Sequence, residues 1–388
     1  MRLNIGVLFG GRSVEHEVSI ITASQFMENM NRIKYQPIPL YLSKNNELYY
    51  SEEMRNVAFF KTDHVEQRAK RVELIRQGTK VNLYEIKKHK LNLICEIDLM
   101  VLSVHGTNCE DGTLSAFCEL LNIPYVGSGI LASSVSQNKL FTKIILESKN
   151  IPVVPYTYFY DHEYIQGSEL VLKKCEELLE YPVVVKPVSL GSSVGVNICE
   201  NRDEFIHGIN EAIQYDSCIL VEKAIMNMRE FNCAVKGNYE LSDSSRVEEV
   251  LKQDKILSYQ DKYLNGGKSS KGMVQTRRMI PANIEETLYK EIQDLAQSTF
   301  EALGNSGVSR IDFIYDTEND QIYINEINTI PGSFSYYLWD HQIIPYDCLI
   351  DELINIALAN YKLKDNKVVT YDTNILALSN TNHNKLKA

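Results

Sequence analysis

The chain of 388 residues carries a formal net charge of −11, with 44% hydrophobic and 23% charged residues. These proportions are typical of a globular protein that is large enough for two or three subdomains. The acidic balance argues against a surface that neutralises nucleic-acid phosphates or anionic lipids, so we expect neither nucleic acid nor a membrane as a partner. A local basic cleft for a small phosphate ligand is compatible with this charge.

The first apolar run is short, and the cysteines and histidines are scattered. Leu3–Phe9 is too brief for a signal peptide or a membrane span, so we expect a cytoplasmic protein. The eight cysteines form no Cys-x-x-Cys pair, which favours reduced, buried thiols over a zinc site or a disulfide framework. The eight histidines form no His-x-x-x-His pair either. We therefore do not expect a catalytic metal held by nitrogen or sulfur.

A strand, a glycine turn and a helix open the chain as the first unit of an α/β layer. Leu3–Phe9 is the strand, Gly10–Ser13 the turn, and Glu15–Met30 has helical spacing. The amides at the start of such a helix can hold an anion. Glu15 lies at the mouth of the turn, where it could bind an ammonium group or could simply complement the helix dipole.

A buried strand at Leu99–Val104 leads into a second candidate loop. It follows two further strands, at Tyr35–Leu42 and Glu47–Tyr50, and residues 51–93, which show no readable pattern. The loop starts with His105 and continues through two acidic residues and two glycines. Ligands of open α/β sheets bind beyond the carboxyl ends of parallel strands, which favours a site here, although a lone loop histidine is more often structural.

The middle of the chain contains a linker and two loops. Ile151–Pro155 is the linker and a domain boundary. The Gly/Ser-rich Leu190–Val196 could close over a nucleotide or form a hairpin turn. Lys252–Arg278 is predicted to be a long mobile loop that covers a charged ligand. The remaining helices are predicted at Thr113–Leu121, Leu131–Ser148, Leu170–Leu179, Ile284–Leu303 and Cys348–Tyr361, and the remaining strands at Tyr125–Val126, Pro182–Pro187, Cys218–Lys223 and Arg229–Val235.

The most informative stretch is a predicted hairpin between Arg310 and Asn328. Side chains alternate along a strand, so Arg310 and Asp312 share one face, as do Glu326 and Asn328. In the simplest register these two faces are the same one. Hard oxygen ligands that converge in this way suit Mg²⁺, which completes its shell with water and substrate phosphates. The alternative is a solvated hairpin face.

In their order along the chain, these pieces resemble the ATP-grasp superfamily and, within it, the D-alanine–D-alanine ligases. The resemblance runs from about Leu3 to Trp339, nearly the whole chain. The motifs that carry it are Gly10–Ser19, His105–Gly106 with Glu110–Gly112, Pro124–Gly129, Val185–Pro187 with Gly191–Gly195, and Arg310–Phe313 with Glu326–Thr329 and Pro331–Gly332. Any one of these motifs is a weak signal, whereas all five in sequence are specific.

The resemblance implies an ATP-grasp α/β fold of three subdomains with a Rossmann-like N-terminal domain. The N-terminal domain would span 1–130, a central subdomain 131–225 and a C-terminal subdomain with the metal site 226–365, followed by a tail at 366–388. The implied reaction is the ATP-dependent joining of two D-alanines through an acyl phosphate, for peptidoglycan precursor synthesis. The family usually forms homodimers.

The resemblance also implies a role for each candidate site residue. Glu15 would bind the ammonium of the first substrate and His105 would lie beside its carboxylate. Arg310 and the Gly332 amide would stabilise the oxyanion of the tetrahedral intermediate. Tyr263 would hydrogen-bond through Ser192 to Glu15. Nucleotide contacts would come from Lys139, Lys186, Ser193, Glu222, Lys223, Glu230 and Lys262, and two Mg²⁺ ions (or Mn²⁺) would be held by Asp312, Glu326 and Asn328.

The sequence departs from the family pattern at the end that receives the second substrate. Tyr337 stands where a serine normally binds the carboxylate of the second D-alanine, and a phenol occupies far more room. Smaller departures are Cys109 for a glycine, Asn138 for an aspartate and Ser258 for an aspartate. Two alternatives therefore stay open: the same chemistry with another amino acid or a 2-hydroxy acid as acceptor, and a nucleotide-binding protein that has lost catalysis.

Overall fold

The computed structural model describes residues 2–61, 64–88, 90–191, 194–251, 277–339, 344–371 and 373. Four candidate site residues lie outside these ranges, namely Ser192, Ser193, Lys262 and Tyr263. Most of the predicted loop, at 252–276, and most of the predicted tail also lie outside them.

The described chain contains eight α-helices and seventeen strands. The helices are α1 at His16–Asn29, α2 at Thr113–Leu121, α3 at Ile130–Gln137, α4 at Lys139–Ser148, α5 at Asp161–Leu178, α6 at Arg202–Ala212, α7 at Glu286–Ala302 and α8 at Tyr346–Asp365. The strands are β1 at Leu3–Gly10, β2 at Tyr35–Leu42, β3 at Leu48–Tyr50, β4 at Lys70–Gln77, β5 at Lys80–Lys87, β6 at Lys90–Ile97, β7 at Leu99–Leu102, β8 at Tyr125–Val126, β9 at Tyr156–Tyr160, β10 at Val183–Pro187, β11 at Asn197–Cys199, β12 at Cys218–Lys223, β13 at Met228–Gly237, β14 at Ser242–Leu251, β15 at Arg277–Met279, β16 at Gly307–Asp316 and β17 at Gln321–Asn328. Short 3₁₀ helices lie at Glu52–Arg55, Val57–Lys61, Val65–Arg68 and Gly332–Leu338. Within the described ranges, no helix is both long and apolar enough to cross a membrane.

The first sheet has a parallel half and an antiparallel half. Its described strands follow the order β6-β5-β4-β3-β2-β1-β7-β8, in which β1 pairs in parallel with both β2 and β7. β1 is buried from Ile5 to Gly10, as expected for a strand that is covered on both faces. The antiparallel half fills much of the stretch 51–93 that the sequence left unplaced. Strand β6 is exposed from Lys90 to Leu93. Its apolar residues therefore do not line a buried face there, and the strand could not be recognised from its hydrophobic pattern.

The prediction of one helix over Leu131–Ser148 is wrong, because Asn138 divides it into α3 and α4. Asn138 has an extended backbone, with φ −91 and ψ 102, and its side chain accepts a hydrogen bond from the Phe141 amide at 2.9 Å. An asparagine in this position caps the N-terminus of the following helix. Lys139 is consequently the first residue of α4, and its amide donates to the Val188 carbonyl at 3.1 Å.

The other two sheets are antiparallel and face each other across the site. One has the order β11-β10-β12-β9 and the other, among the described strands, β15-β14-β13-β16-β17. The predicted loop at Lys252–Arg278 is wrong for its last two residues, because Arg277 and Arg278 belong to β15. Their backbone pairs with Leu251 and Val250 of β14. The predicted division into subdomains at 130, 225 and 365 stays a prediction.

The C-terminal helix α8 packs on the core of the first sheet. Tyr346 of α8 stacks on Tyr336 of the last 3₁₀ helix, with ring centroids 4.4 Å apart. Phe26 of α1 contacts Phe334 of the same 3₁₀ helix at 4.8 Å. The hydrophobic core of the N-terminal sheet therefore also holds the segment that follows β17.

We predict that Phe26→Ala lowers the free energy of unfolding by about 3–5 kcal/mol. Phe26 is 0% exposed and its ring supports Phe334, so the substitution removes buried contacts and leaves a cavity. Urea unfolding measures the loss. Ile33→Ala is the control, since Ile33 is 89% exposed and its truncation should change stability by less than about 0.5 kcal/mol. Equal stability of the two variants would contradict this packing.

Candidate active site

A cavity of about 530 Å³ lies between the three sheets. Every candidate site residue that the structure describes lines it. From the N-terminal sheet these are Glu15 and His105; from the central sheet and its helices, Lys139, Lys186, Glu222 and Lys223; and from the C-terminal part, Glu230, Arg310, Asp312, Glu326, Asn328, Gly332 and Tyr337. Residues that are more than 300 positions apart in sequence thus share one site.

Glu222 lies between two lysines on the central-sheet side of the cavity. Its carboxylate forms ion pairs with Lys143 at 2.8 Å and Lys186 at 2.5 Å, and all three side chains are buried. Burial alone would raise the pKa of Glu222, but the two ammonium groups outweigh it and lower that pKa to about 2. Lys143 was not among the residues predicted from the sequence. Its position one helical turn after Lys139 was the available signal, since residues four apart share a helix face.

Lys139 is an amine held inside the cavity wall. Its Nζ donates to the Leu190 carbonyl at 2.5 Å, at the start of the Gly/Ser-rich loop. Burial lowers the pKa of Lys139, while the carboxylate of Glu326 opposes that change. A phosphate bound nearby would favour the protonated form in the same way.

The N-terminal glycine turn positions Glu15 against the His105 loop. Ser13 Oγ donates to the His105 carbonyl at 2.5 Å and accepts from the Glu15 amide at 3.0 Å. A Cβ on Gly106 would lie 3.0 Å from Glu15 Oε2, and Gly106 has φ +81, so only glycine fits here without strain. Glu15 therefore presents its carboxylate at the loop that follows β7.

His105 is buried and neutral. One ring nitrogen, Nε2, lies 2.9 Å from Thr22 Oγ1, and the ring also hydrogen-bonds to the backbone of Ile330. Burial lowers the pKa of His105, against the raising effect of Glu15. His105 consequently joins α1 to the segment after β17 and offers a polar but uncharged surface to the cavity.

Glu110 is a half-buried carboxyl group for which the sequence predicted no role. Its side chain accepts hydrogen bonds from the Gly106 amide at 2.7 Å and the Ile330 amide at 3.1 Å. Burial and the nearby charge of Glu15 raise the pKa of Glu110 to about 8. The Glu110–Ile330 bond crosses 220 residues of sequence, so no local pattern could have revealed it.

The hairpin of β16 and β17 has the predicted register. Arg310 pairs with Asn328 and Asp312 with Glu326, which places all four side chains on one face. Arg310 donates to both oxygens of Asp312, at 2.6 and 2.7 Å, and Asn328 Nδ2 donates to Asp312 Oδ2 at 3.1 Å. Burial would lower the pKa of Arg310, but the Asp312 charge outweighs it and raises that pKa.

The donor set at this hairpin fits a hard divalent cation. No group of three His, Cys, Asp or Glu side chains in the described ranges is arranged around a metal position. Asp312, Glu326 and Asn328 instead present two carboxylates and one carboxamide on the same face of the hairpin. Mg²⁺ commonly takes a small number of protein oxygens and completes its shell with phosphate and water. A cation here would compete with Arg310 for the Asp312 carboxylate.

The segment after Pro331 has a strained backbone that is held from outside. Ser333, Phe334 and Ser335 have φ of 53, 52 and 50, a conformation that non-glycine residues rarely adopt. Ser333 is fixed by helix α1, since its amide donates to Thr22 Oγ1 at 3.2 Å and its hydroxyl to Gln25 Oε1 at 2.5 Å. The fold thereby places Gly332 at the first position of a 3₁₀ helix, where a backbone amide has no intrahelical acceptor.

Comparison with known proteins assigns the chain to a family. The model of the D-ala D-ala ligase N-terminus matches residues 4–128 and that of the C-terminus matches residues 145–355. The D-alanine–D-alanine ligase of Thermosipho melanesiensis is 39% identical over 379 residues, which are 97% of this chain and 99% of the relative. The chain belongs to the D-alanine–D-alanine ligase family. The ligase of Macrococcus caseolyticus is 35% identical, with 94% of this chain and 97% of the relative covered.

Solved structures of D-alanine–D-alanine ligases and a close relative share the fold. VanG D-Ala:D-Ser ligase from Enterococcus faecalis matches with a TM-score of 0.77 at 30% identity, over 92% of this chain and 100% of that chain. The D-alanine–D-alanine ligase of Coxiella burnetii matches with a TM-score of 0.77 at 27% identity, over 94% of this chain and 96% of that chain. The predicted ATP-grasp α/β fold is confirmed. The family acts on small amino-acid substrates.

We predict that Gly106→Ala raises the KM for the first amino-acid substrate by about tenfold or more. The added Cβ would meet Glu15 Oε2 and Ser13 Oγ at 3.0 Å and displace the carboxylate. Gly78→Ala is the matched control, because Gly78 also has a positive φ, +61, but has nothing within 4 Å of the new Cβ. Steady-state kinetics should show a raised KM for Gly106→Ala and an unchanged KM for Gly78→Ala, which should lose only stability. The same KM in both would contradict the placement of Glu15.

We predict a pH-dependent stability contribution from Glu110. Because its pKa is raised from 4.5 to about 8, the folded state keeps a proton that the unfolded state releases. Stability from this group is therefore lost as pH rises between these two values, by up to about 1.4 kcal/mol per pH unit. Urea unfolding of the native protein and of Glu110→Gln at several pH values measures this. The free energy of unfolding of the native protein should fall relative to that of Glu110→Gln as pH rises from 5 to 8. A difference between the two free energies that does not change with pH would contradict the raised pKa.

Proposed function

We propose that this protein joins two D-alanine molecules into D-alanyl-D-alanine at the expense of ATP, for the synthesis of peptidoglycan precursors. The observation that carries the proposal is the shared cavity, which brings together the carboxylate of Glu15, the amines of Lys139 and Lys186, and the polar face of the hairpin of β16 and β17. Family membership supports the same reaction. On the family resemblance alone, we also propose that the protein is a homodimer.

The central sheet and the hairpin would hold the nucleotide. Lys139 and Lys186 would contact the phosphates, because both line the cavity, where Lys186 is buried and Lys139 is half-buried. Glu222, Lys223 and Glu230 would hold the adenine and ribose, and Ser193 and Lys262 would add further nucleotide contacts. Two Mg²⁺ ions, if bound by Asp312, Glu326 and Asn328, would neutralise charge that develops on the transferred phosphate.

Glu222 would orient the phosphate-binding lysine as well as the base. Its ion pairs with Lys143 and Lys186 fix the ammonium of Lys186 at one place in the cavity wall. Lys143 also donates to the Val154 carbonyl at 3.1 Å, so this lysine connects α4 to the linker before β9. A phosphate oxygen that approaches Lys186 would therefore meet a preorganised charge.

The first D-alanine would bind beside the N-terminal glycine turn. Glu15 would pair with its ammonium group, and the neutral ring of His105 would lie beside its carboxylate. That carboxylate would attack the γ-phosphate of ATP to give an acyl phosphate and ADP. Ser192 and Tyr263 would close the site over this intermediate through hydrogen bonds to Glu15, which protects an acyl phosphate from water.

The amine of the second D-alanine would then attack the acyl carbon. The oxygen that becomes negative would be stabilised by the guanidinium of Arg310 and by the amide of Gly332, a contribution of about 3 kcal/mol per donor. Collapse of the tetrahedral intermediate would release phosphate and leave the new amide bond. In this scheme Arg310 exchanges its carboxylate partner Asp312 for the substrate oxygen.

A second candidate keeps the chemistry and changes the acceptor. Tyr337, which lines the cavity, replaces the serine expected from the family resemblance, and its phenol reduces the space for the second substrate. The relative from Enterococcus faecalis is described as a D-Ala:D-Ser ligase, which shows that acceptors differ within this fold. Mass spectrometry of products from D-alanine alone and from D-alanine with other acceptors distinguishes the two candidates. No product from D-alanine alone would rule out the first.

We predict that Asp312→Asn and Arg310→Gln have different effects. The first removes a cation ligand, so affinity for Mg-ATP should fall. The second removes an oxyanion donor and frees the Asp312 carboxylate, so Mg-ATP affinity should be kept or increased while turnover falls by about 100- to 1000-fold. Calorimetric titration with Mg-ATP and an ADP-release assay measure the two effects, after thermal unfolding has shown that both variants fold. Equal loss of Mg-ATP affinity in both variants would contradict these roles.

A further inference from the structure

A row of polar side chains crosses the cavity face of the C-terminal sheet. Glu248 of β14 pairs directly with Asn232 of β13, which pairs with Asp312 of β16, which pairs with Glu326 of β17. Directly opposite residues of antiparallel strands project from the same face. Asp312 and Glu326 serve the proposed cation site, whereas Glu248 and Asn232 have no role in the reaction as described so far.

Glu248 is a buried carboxylate that holds a cation of the edge strand. It is 0% exposed, and its Oε2 accepts a hydrogen bond from Asn232 Nδ2 at 2.9 Å. Its Oε1 lies 3.3 Å from Arg278 Nε. Burying a carboxylate is costly unless it is paired, so this arrangement fixes the guanidinium of Arg278 rather than leaving it to move freely.

Arg278 also lies against the residue that distinguishes the acceptor end. The Arg278 guanidinium carbon is 5.0 Å from the centroid of the Tyr337 ring, within the range of a cation–π contact. Both side chains line the cavity. Glu248 and Tyr337 are near enough to Arg310 to add to the larger effects of burial and Asp312 on its pKa, so this group lies close to the proposed site of bond formation.

The second substrate needs a cation at this place. In the proposed reaction its carboxylate is not consumed, and its amine attacks next to Arg310. The amine and the carboxylate group of an α-amino acid are bonded to the same carbon atom, so the carboxylate must also lie near Arg310. Asp312 and Glu326 line the cavity there, and Glu248 lies buried in the same cross-strand row, so an unpaired carboxylate would be repelled.

Arg278 is suited to provide that cation. Among the described residues that line the cavity, the other guanidinium is that of Arg310, which is paired with Asp312 and assigned to the oxyanion in the proposed reaction. Glu248 approaches Arg278 at Nε, and the guanidinium carries further N–H donors on its Nη atoms. The side chain is 41% exposed, so these donors are accessible to a ligand in the cavity. A planar guanidinium can bind a carboxylate through two parallel hydrogen bonds.

We propose that Arg278, held by Glu248 and stacked on Tyr337, binds the carboxylate of the second substrate and so selects acceptors that carry a free carboxylate. The inference rests on the proposed ligase function and deepens it. Amino acids and 2-hydroxy acids satisfy this requirement, whereas amides and esters of amino acids do not. Specificity would arise because an acceptor without the carboxylate would not engage the Nη donors of Arg278, whose Nε faces Glu248.

A competition between D-alanine and D-alaninamide as acceptors tests the proposal. D-alanine also serves as the first substrate, and mass spectrometry measures the ratio of dipeptide to dipeptide amide. The native protein should favour the dipeptide, and Arg278→Gln should lower this ratio by about 10- to 100-fold. The amines of D-alanine and D-alaninamide differ in intrinsic reactivity, but this difference is the same for the native protein and the variant. It therefore cancels when the two product ratios are compared. Arg278→Lys keeps the charge and should restore part of the preference.

Arg229→Gln is the matched control. Arg229 belongs to the same sheet and makes a comparable ion pair with Glu249 at 2.7 Å, but neither side chain lines the cavity. This variant should leave the product ratio unchanged.

A purely structural role of Arg278 would lower overall activity without changing the ratio, and that result would overturn the proposal. The proposal would also be overturned if Tyr337→Phe lost the preference for the dipeptide while Arg278→Gln kept it, because the phenol would then hold the carboxylate. Absence of any product from the native protein would instead contradict the proposed function.

Discussion

The carboxylate of Asp312 is the interaction on which the rest of the site depends. It receives two hydrogen bonds from Arg310 and one from Asn328, all on the cavity face of a hairpin whose register is fixed by strand pairing. A one-residue slip of β17 would turn Glu326 and Asn328 to the opposite face. The same carboxylate is a proposed cation ligand, so cation binding and the release of Arg310 toward the substrate are linked. Asp312 thus both fixes the position of Arg310 and offers a proposed ligand for the cation.

The surrounding fold holds this hairpin against the N-terminal sheet. Glu110 accepts the Ile330 amide, and the ring of His105 bonds to the backbone of the same residue. One turn further along, Phe334 packs on Phe26 of α1. These contacts impose the left-handed backbone after Pro331, which the local sequence would not adopt by itself. The loops proposed to bind the first substrate and the Gly332 amide proposed to stabilise the oxyanion are thereby kept at fixed positions.

Local sequence was sufficient where the chemistry is local. Alternation along β16 and β17 predicted that Arg310 and Asp312 share a face with their partners, because a short polar turn leaves few registers. It was insufficient for Glu110, Lys143 and Glu248, whose partners come from other strands and helices. The break at Asn138 was missed because an N-cap in the middle of an apolar periodic stretch looks like one more helical residue. Long-range pairing supplied what these patterns lacked.

In the proposed reaction, a substrate carboxylate attacks the γ-phosphate of ATP inside this cavity. The most direct test is ligation with D-alanine whose carboxylate carries a heavy oxygen isotope, followed by mass spectrometry of the released phosphate. If an acyl phosphate forms and the amine then displaces phosphate, each phosphate takes one carboxylate oxygen with it and should carry the label. Unlabelled phosphate accompanied by dipeptide would contradict the claim.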